Sequence, residues 1–290
     1  MRLWQKIGLG LVGVFVVVVA AREVHHAVSH PVTAASRLAA HPQPRLFGQA
    51  AVASYAGPLD QQAATARRLM QGWWSAHGTK PQDAQFGAWL KKALPAPPSE
   101  AERKAEAKQL EKLVEQRTAK GRKAAHWLQS YGGRTIWLAY AHKQSAHLPK
   151  AEQKRRHREL EKALHLAKHL DNQLTTSLKL QSPALLDPAL RTHKGGAAVA
   201  GKKGCPCSYP ASAAADSAAA RTVLGYLFPQ QARQYTHMVD ELAYAEVYSG
   251  RHLPSDVNTG VLLGDMVGEY VLVTRHEAQP QQVTAALAGG

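Results

Sequence analysis

Two stretches of this sequence decide its fold: CPCSYPASAAADSAAARTVLGYLFP at residues 205–229 and DELAYAEVYSGRHLPSDVNTGVLLG at residues 240–264. The first passes from a loop into an alanine-rich segment, which predicts a helix over residues 212–228. In the second, a Gly-led loop is followed by Pro254 and Ser255, which predict a helix over residues 255–275 with Ser255 as its N-cap. Asp265 and Glu269 lie four residues apart on one face of this helix, so we expect it to be amphipathic.

Outward from these stretches, the chain divides into helical segments separated by Pro and Gly. Helical patterning covers residues 59–77, 99–130, 134–142, 149–179 and 230–248. Ser99 and Glu102 form a capping box at the start of the second segment, and Gly121 is the candidate break within it. The sequence contains no strand-period segment and no fixed-period repeat. It therefore predicts an all-α fold, a packed helical bundle.

The first residues are typical of an export segment. Arg2 and Lys6 precede an apolar run of 15 residues at 7–21, shorter than the roughly 20 residues of a membrane-spanning helix. A cleaved signal and an uncleaved anchor, with membrane association through residues 3–21, both fit. Either leaves the remainder exported, in the periplasm or anchored in the cytoplasmic membrane and facing outward. We expect a signal peptide or anchor at 1–21, a flexible lead-in at 22–58, one helical domain at 59–278 and a disordered tail at 279–290.

The net charge of +15 favours anionic partners. Much of the basic excess lies in the middle helices, residues 101–168, where a solvated face is the simplest interpretation. The basic stretches lack interleaved aromatic residues, so we expect no nucleic-acid binding. Two cysteines are too few for a disulfide-dense scaffold or a four-thiolate zinc site.

The residues best suited to carry out chemistry are His252 and Asp256, beside a predicted helix N-terminus. A carboxylate four residues after the histidine can accept a hydrogen bond from one imidazole nitrogen and make the other a better nucleophile or base. The N–H groups of the new helix favour an anion at the same place. A His–Asp pair at a helix start is also commonly structural.

The surrounding sequence favours the catalytic interpretation. Residues 246–260, EVYSGRHLPSDVNTG, resemble the last signature of the type-2 phosphatidic acid phosphatase and vanadium haloperoxidase superfamily, which is Ser-Arg, five residues, His, three residues, Asp. Residues 208–229 resemble its middle signature, Pro-Ser-Gly-His before an Ala-rich helix. The resemblance covers about residues 105–270 and implies a helical bundle of the acid phosphatase/haloperoxidase type.

The resemblance also implies a mechanism. His252 would attack phosphorus to form a phosphohistidine, and Asp256 would orient it. In the superfamily a second histidine protonates the leaving group, while one Lys and two Arg hold the phosphate oxygens. The same pocket holds vanadate in the haloperoxidases.

Several positions of the superfamily pattern are changed in this chain. Ala213 replaces the second histidine, Glu246 replaces the arginine of the last signature, Ser182 replaces the upstream arginine, and the lysine position falls near Thr175. Each lost charged hydrogen bond is worth about 1.5–3 kcal/mol, and a carboxylate repels a phosphate dianion. The candidate replacement cations are those closest in sequence to the two signatures: Arg251, Lys203 and Lys202. A solvated surface cation is the simpler interpretation of each.

Three hypotheses follow from these residues. The first is an exported acid phosphatase that hydrolyses phosphomonoesters through His252, with a phosphate ester or other anionic small molecule as its ligand. The alternative is a catalytically inactive pseudoenzyme that acts as an envelope binding or structural protein. The third is a haloperoxidase-like protein, the only case that calls for vanadate. No other cofactor is expected.

Two further groups have metal-ligand chemistry. The side chains of His157, Glu161, His165 and His169 recur on one helix face, where an exposed polar face is the better explanation than a metal site. Cys205 and Cys207 are separated by one residue, so we expect free thiols or a strained disulfide rather than metal ligands.

Overall fold

The computed structural model describes residues 33–192, 206–275 and 277–283. The signal or anchor predicted at residues 1–21 lies outside this range, as do Lys202, Lys203 and Cys205. Within the described residues every regular element is helical and no strand occurs, which confirms the all-α prediction. None of the helices in this part of the chain is long and apolar enough to cross a membrane.

Most of the helices follow one another with short connections, as expected for a bundle. In chain order they are α1 (Ala34–Ala40), α2 (Gln49–His77), α3 (Asp83–Ala93), α4 (Glu100–Glu115), α5 (Ala119–Tyr131), α6 (Arg134–Ser145), α7 (Lys150–Leu178), α8 (Pro183–Leu186), α9 (Ala189–Thr192), α10 (Ser212–Leu227), α11 (Ala232–Tyr248) and α12 (Pro254–Thr274). The capping box predicted at Ser99 and Glu102 is present at the start of α4.

The centre of the fold is the contact between α10 and α12, which are packed at very close range. Three glycines of α12, spaced four residues apart, face alanines of α10. A Cβ atom added to Gly264 would lie 2.2 Å from the carbonyl oxygen of Ala215, and one added to Gly260 would lie 2.5 Å from that of Ala211. Side chains at these positions would force the two helix backbones apart, so the small residues determine the spacing.

The expectation that α12 is amphipathic is wrong, because α12 is buried along nearly its whole length against α2, α7 and α10. Its two carboxylates have internal partners. Asp265 accepts two hydrogen bonds from Nη2 of Arg221, at 2.6 and 2.7 Å, and Glu269 accepts one from Nε1 of Trp74 at 2.7 Å. A charged pattern that predicts a solvent face therefore marks buried contacts to neighbouring helices.

The structure also corrects the lead-in predicted over residues 22–58, for the part it describes. α1 lies within that range, and α2 begins at Gln49, ten residues before the predicted start. Val52 is buried, and the ring of Phe47 packs at 4.8 Å from that of Tyr244. Pro58 lies inside α2. Packing of these apolar side chains outweighs the local preference of Pro for a break, since tertiary contacts supply most helix stability.

Two boundaries differ from the sequence prediction for similar reasons. The predicted helix at 99–130 is broken at residues 116–118, where Thr118 caps α5 by accepting a hydrogen bond from the N–H of Gly121 at 3.0 Å. Gly121 itself is helical, and a Cβ atom there would lie 2.1 Å from the hydroxyl of Tyr248. In the tail predicted at 279–290, Val283 is fully buried, while residues 284–290 lie outside the described range.

Candidate functional site

The candidate site lies where two loops meet at the N-terminal ends of α10 and α12. Residues 249–253 connect α11 to α12 and carry His252, and residues 206–211 lead into α10. The N–H of Ala211 donates to the carbonyl of Asp256 at 2.9 Å, which joins the two helix starts. The two stretches that carry the sequence resemblance are thus neighbours in the fold.

His252 is buried, with 9% of its surface exposed. Its Nδ1 lies 2.9 Å from the carbonyl oxygen of Ser208, which can only accept, so Nδ1 carries a proton. Its Nε2 lies 3.4 Å from Oε2 of Glu246, which is also buried. The nitrogen that would attack a phosphorus atom therefore faces a carboxylate of the same chain.

The sequence predicts that Asp256 orients His252 by a hydrogen bond, but the structure does not contain this bond. Its Oδ2 lies 3.9 Å from Nδ1 of His252, beyond hydrogen-bonding distance. The two carboxylate oxygens have other partners: Oδ1 accepts from Nη1 of Arg103 at 2.6 Å, and Oδ2 accepts from the N–H of Leu253 at 2.9 Å. The main-chain carbonyl of Ser208 takes the orienting role instead.

The start of α12 also differs from the prediction at Ser255. Leu253 is the N-cap and Pro254 the first helical residue, so Ser255 is already inside the helix. The Ser255 hydroxyl donates to Glu106 Oε2 at 2.5 Å and its N–H donates to Oε1 at 3.2 Å. Burial is the largest cause that raises the pKa of Glu106 above its usual range. The first turn of α12 is therefore held by two carboxylates, those of Asp256 and Glu106.

Arg103 is the main residue that sequence analysis missed. It is almost fully buried and donates to Asp256, to the carbonyl of Gln181 at 2.9 Å and to the hydroxyl of Ser208 at 3.3 Å. One guanidinium thus connects α4, the loop before α8, the loop before α10 and α12. The available signal was its position: Arg103 falls on the same buried stripe of α4 as Ala107, where an arginine requires a partner.

The predicted cations are not gathered around His252 in the part of the chain that the structure describes. Arg251 is partly exposed, and its Nε has no hydrogen-bond partner among the described residues. Lys202 and Lys203 lie outside those residues. Arg117 approaches the same loop, because its Nη1 donates to the carbonyl of Ser249 at 3.0 Å. A cavity of about 270 Å³ lies beside Arg103 and Lys179, but His252 does not line it.

The positions at which the sequence departs from the superfamily pattern carry no histidine or arginine, and the buried Ser182 hydroxyl has no hydrogen-bond partner among the described residues. Ala213 lies in the first turn of α10, and Ser182 is the buried N-cap of α8. Neither side chain is able to protonate a leaving group as a histidine would. The contact of Nδ1 of His252 with the carbonyl of Ser208 joins the two loops.

Vanadate does not fit the residues present. It is an oxyanion that needs several cationic donors, and the described side chain opposite Nε2 of His252 is the carboxylate of Glu246.

The other groups considered from the sequence have local partners. Glu161 accepts from Arg134 at 2.7 Å, and His169 Nε2 lies 2.8 Å from the side-chain amide of Gln173. Over the described ranges, no three His, Cys, Asp or Glu side chains are gathered as a metal site would require. Cys207 is disulfide-bonded.

Comparison of the chain with protein-family models, curated proteins and solved structures found no match.

Proposed function

We propose that this chain is a catalytically inactive pseudoenzyme of the phosphatase/haloperoxidase type, which acts as an exported binding or structural protein of the cell envelope. One observation carries the proposal: Nε2 of His252 lies 3.4 Å from Oε2 of Glu246, and both side chains are buried. A phosphate group would have to enter the space that this carboxylate borders.

Electrostatics argues against phosphate at that position. A phosphate dianion and a carboxylate repel each other, and the repulsion is stronger where little water screens it. In the superfamily an arginine occupies the Glu246 position, so the change reverses the sign of the local charge. Arg103, the buried cation that contacts Ser208 as His252 does, is already paired with Asp256.

The groups available for proton transfer support the same conclusion. Ala213 has no group to protonate a leaving oxygen, and loss of a general acid costs about 10²–10⁴-fold in rate. Asp256 lies too far from His252 for a hydrogen bond. Among the described residues, the site therefore lacks the acid, the orienting carboxylate and the gathered cations on which the superfamily reaction depends.

The second candidate is phosphomonoester hydrolysis through His252. The observation that favours it is the Nε of Arg251, which has no hydrogen-bond partner among the described residues and adjoins His252 in the chain. Activity would require Glu246 to move away from Nε2 and Arg251 to supply charge to the phosphate, with Lys202 and Lys203 as further sources.

The experiment compares the full chain with H252A for hydrolysis of p-nitrophenyl phosphate across acidic and neutral pH. We expect both to remain at the buffer rate. Wild-type hydrolysis that disappears in H252A would overturn the proposal and establish the second candidate.

A restoration series extends this test. A213H/E246R returns two superfamily residues, and A213H/E246R/H252A is its matched control. We expect at least tenfold more hydrolysis from the double variant than from the triple variant, with circular dichroism verifying that both are folded. The wild-type comparison decides the proposal even if the double variant does not fold.

A further inference from the structure

The acidic residues of this chain are unevenly distributed. Residues 24–59 and 116–151 contain no Asp or Glu, although the chain has 21. The same two segments contain nine basic residues: Arg37, Arg45, Arg117, Lys120, Arg122, Lys123, Arg134, Lys143 and Lys150. A large share of the net charge of +15 therefore comes from two parts of the sequence about 60 residues apart.

The fold brings these two segments together. α1 packs against α6. Trp127 of α5 donates its indole N–H to the carbonyl of His41 at 2.9 Å, and the ring of His41 stacks on that of Tyr131 with centroids 5.1 Å apart. Residues 33–48 and 116–151 thus form one continuous part of the molecule, which we call the acid-free layer.

The charges of the acid-free layer are exposed and largely unneutralised. Eight of its nine cations are exposed, the exception being Arg117. Among described residues, only Arg134 has a carboxylate within 4 Å, that of Glu161. Neighbouring helices differ, since Lys104 and Lys108 of α4 pair with Glu100 and Glu111. A single-sign surface of this kind attracts polyanions.

We propose that the acid-free layer is a docking surface for an anionic phospholipid bilayer. The choice of partner rests on where the described chain begins. Thr33 caps α1, which belongs to the layer, and only residues 22–32 separate it from the apolar run that ends at Ala21. Eleven residues span at most about 40 Å, so an N-terminal segment inserted in a bilayer keeps this layer close to the headgroups.

Electrostatic binding of this kind has a known scale. Each Lys or Arg near an anionic leaflet strengthens binding by roughly fivefold, and the attraction falls off within about 10 Å. A single-stranded nucleic acid is the less suitable polyanion, because its bases stack on exposed aromatic side chains. Trp127 is buried, and Tyr131 is covered by His41. This proposal does not depend on whether His252 is active.

The experiment measures co-sedimentation of the full chain with vesicles of phosphatidylcholine alone and of phosphatidylcholine with about a third phosphatidylglycerol. K120E/K123E/K143E reverses three exposed cations of the acid-free layer. K104E/K108E/K112E reverses three exposed lysines of α4 and changes the net charge equally. All three proteins retain the apolar N-terminal run, so binding to phosphatidylcholine provides the baseline for each.

We expect wild type to bind the anionic vesicles at least tenfold better than the neutral ones, with the preference lost at high salt. K120E/K123E/K143E should lose most of this preference, and K104E/K108E/K112E should keep most of it. Equal losses in the two variants, or no preference in wild type, would overturn the proposal. The proposal would also be overturned if K120E/K123E/K143E lost binding to duplex DNA but kept binding to vesicles. Displacement of the protein from the vesicles by inorganic phosphate at equal ionic strength would overturn it as well.

Discussion

The guanidinium of Arg103 and the carboxylate of Asp256 form a buried ion pair, with 2.6 Å between Nη1 and Oδ1 and almost no exposed surface on either side chain. Asp256 also accepts the N–H of Leu253. The carboxylate that the sequence assigns to His252 is therefore part of the connection between α4 and the first turn of α12. Asp256 matches a catalytic position of the sequence pattern, but its partner Arg103 has a structural role.

The first prediction concerns this ion pair. R103M leaves Asp256 buried without its cation, and we expect a loss of about 3–5 kcal/mol in the free energy of unfolding. R103M/D256N removes both charges, and the introduced amide oxygen still accepts the N–H of Leu253, so the double variant should be more stable than R103M. Urea denaturation measures both. A cost below about 1 kcal/mol for R103M would contradict a stabilising role for the pair.

The second prediction concerns the close contact of α10 and α12. In G264A the new methyl group would lie 2.2 Å from the carbonyl oxygen of Ala215 and 2.8 Å from Cβ of Ala218. Both neighbours belong to a buried helix, so relief requires the backbones to separate. We expect a destabilisation of about 1–3 kcal/mol, observed as a lower thermal midpoint.

G72A is the matched control for that prediction. Gly72 is an exposed interior residue of α2, where an added Cβ atom has nothing within 4 Å. Because Ala is favoured over Gly in a helix interior, G72A should stabilise the protein by about 0.5–1 kcal/mol. If G264A lowers the stability and G72A raises it, the cost in G264A is due to packing. Similar changes in stability in the two variants would refute the packing argument.

The third prediction tests the capping box of α4. Ser99 Oγ accepts the N–H of Glu102 at 3.3 Å, and a Glu102 oxygen accepts the N–H of Ser99 at 2.8 Å. S99A removes the first bond and should cost about 1 kcal/mol in the free energy of unfolding. S130A is the control, because the exposed Ser130 hydroxyl bonds only to a carbonyl of its own helix. Chemical denaturation that shows equal effects would argue against the cap.

Most of the longer helices were predictable from this sequence, because Pro and Gly breakers and the Ser99 cap act locally, but α1, α3, α8 and α9 were not predicted. The boundaries failed where a distant contact decides. Gly121 is a plausible break in sequence, but in the fold it accommodates the hydroxyl of Tyr248. Residues before Leu59 lack a clear period, but Phe47 makes the contact with Tyr244 that orders them.

The candidate site was predictable only in its location. The proximity of His252, Asp256 and the start of α10 follows from the two signatures. Their bonding does not, because Arg103 lies about 150 residues away in sequence and Ser208 contributes a main-chain carbonyl. Main-chain groups leave no local pattern, and the position of Arg103 on the buried stripe of α4 indicates that it needs a partner but not which one.

The fourth prediction concerns pH. Glu269 is buried in the contact of α12 with α2, and burial raises its pKa from 4.5 to about 7, with Asp265 adding to the effect. Burial likewise raises the pKa of Asp216 to about 7 and that of Asp240 to about 6. Between the unfolded and folded pKa values the folded state holds a proton that the unfolded chain has released. The contribution of Glu269 to the free energy of unfolding is therefore fully present below about pH 4.5 and is lost as the pH rises through 7.

E269Q isolates this contribution. A glutamine cannot ionise, and its oxygen still accepts the indole N–H of Trp74, so the variant should lose less stability than wild type between pH 5 and pH 8. One pKa unit corresponds to about 1.4 kcal/mol, which gives a difference of roughly 2–3 kcal/mol at pH 8. Urea denaturation across this range measures the slopes, with E115Q on the exposed face of α4 as the control. If E269Q and wild type lose stability in parallel, Glu269 is not a source of the pH dependence and burial does not keep it protonated.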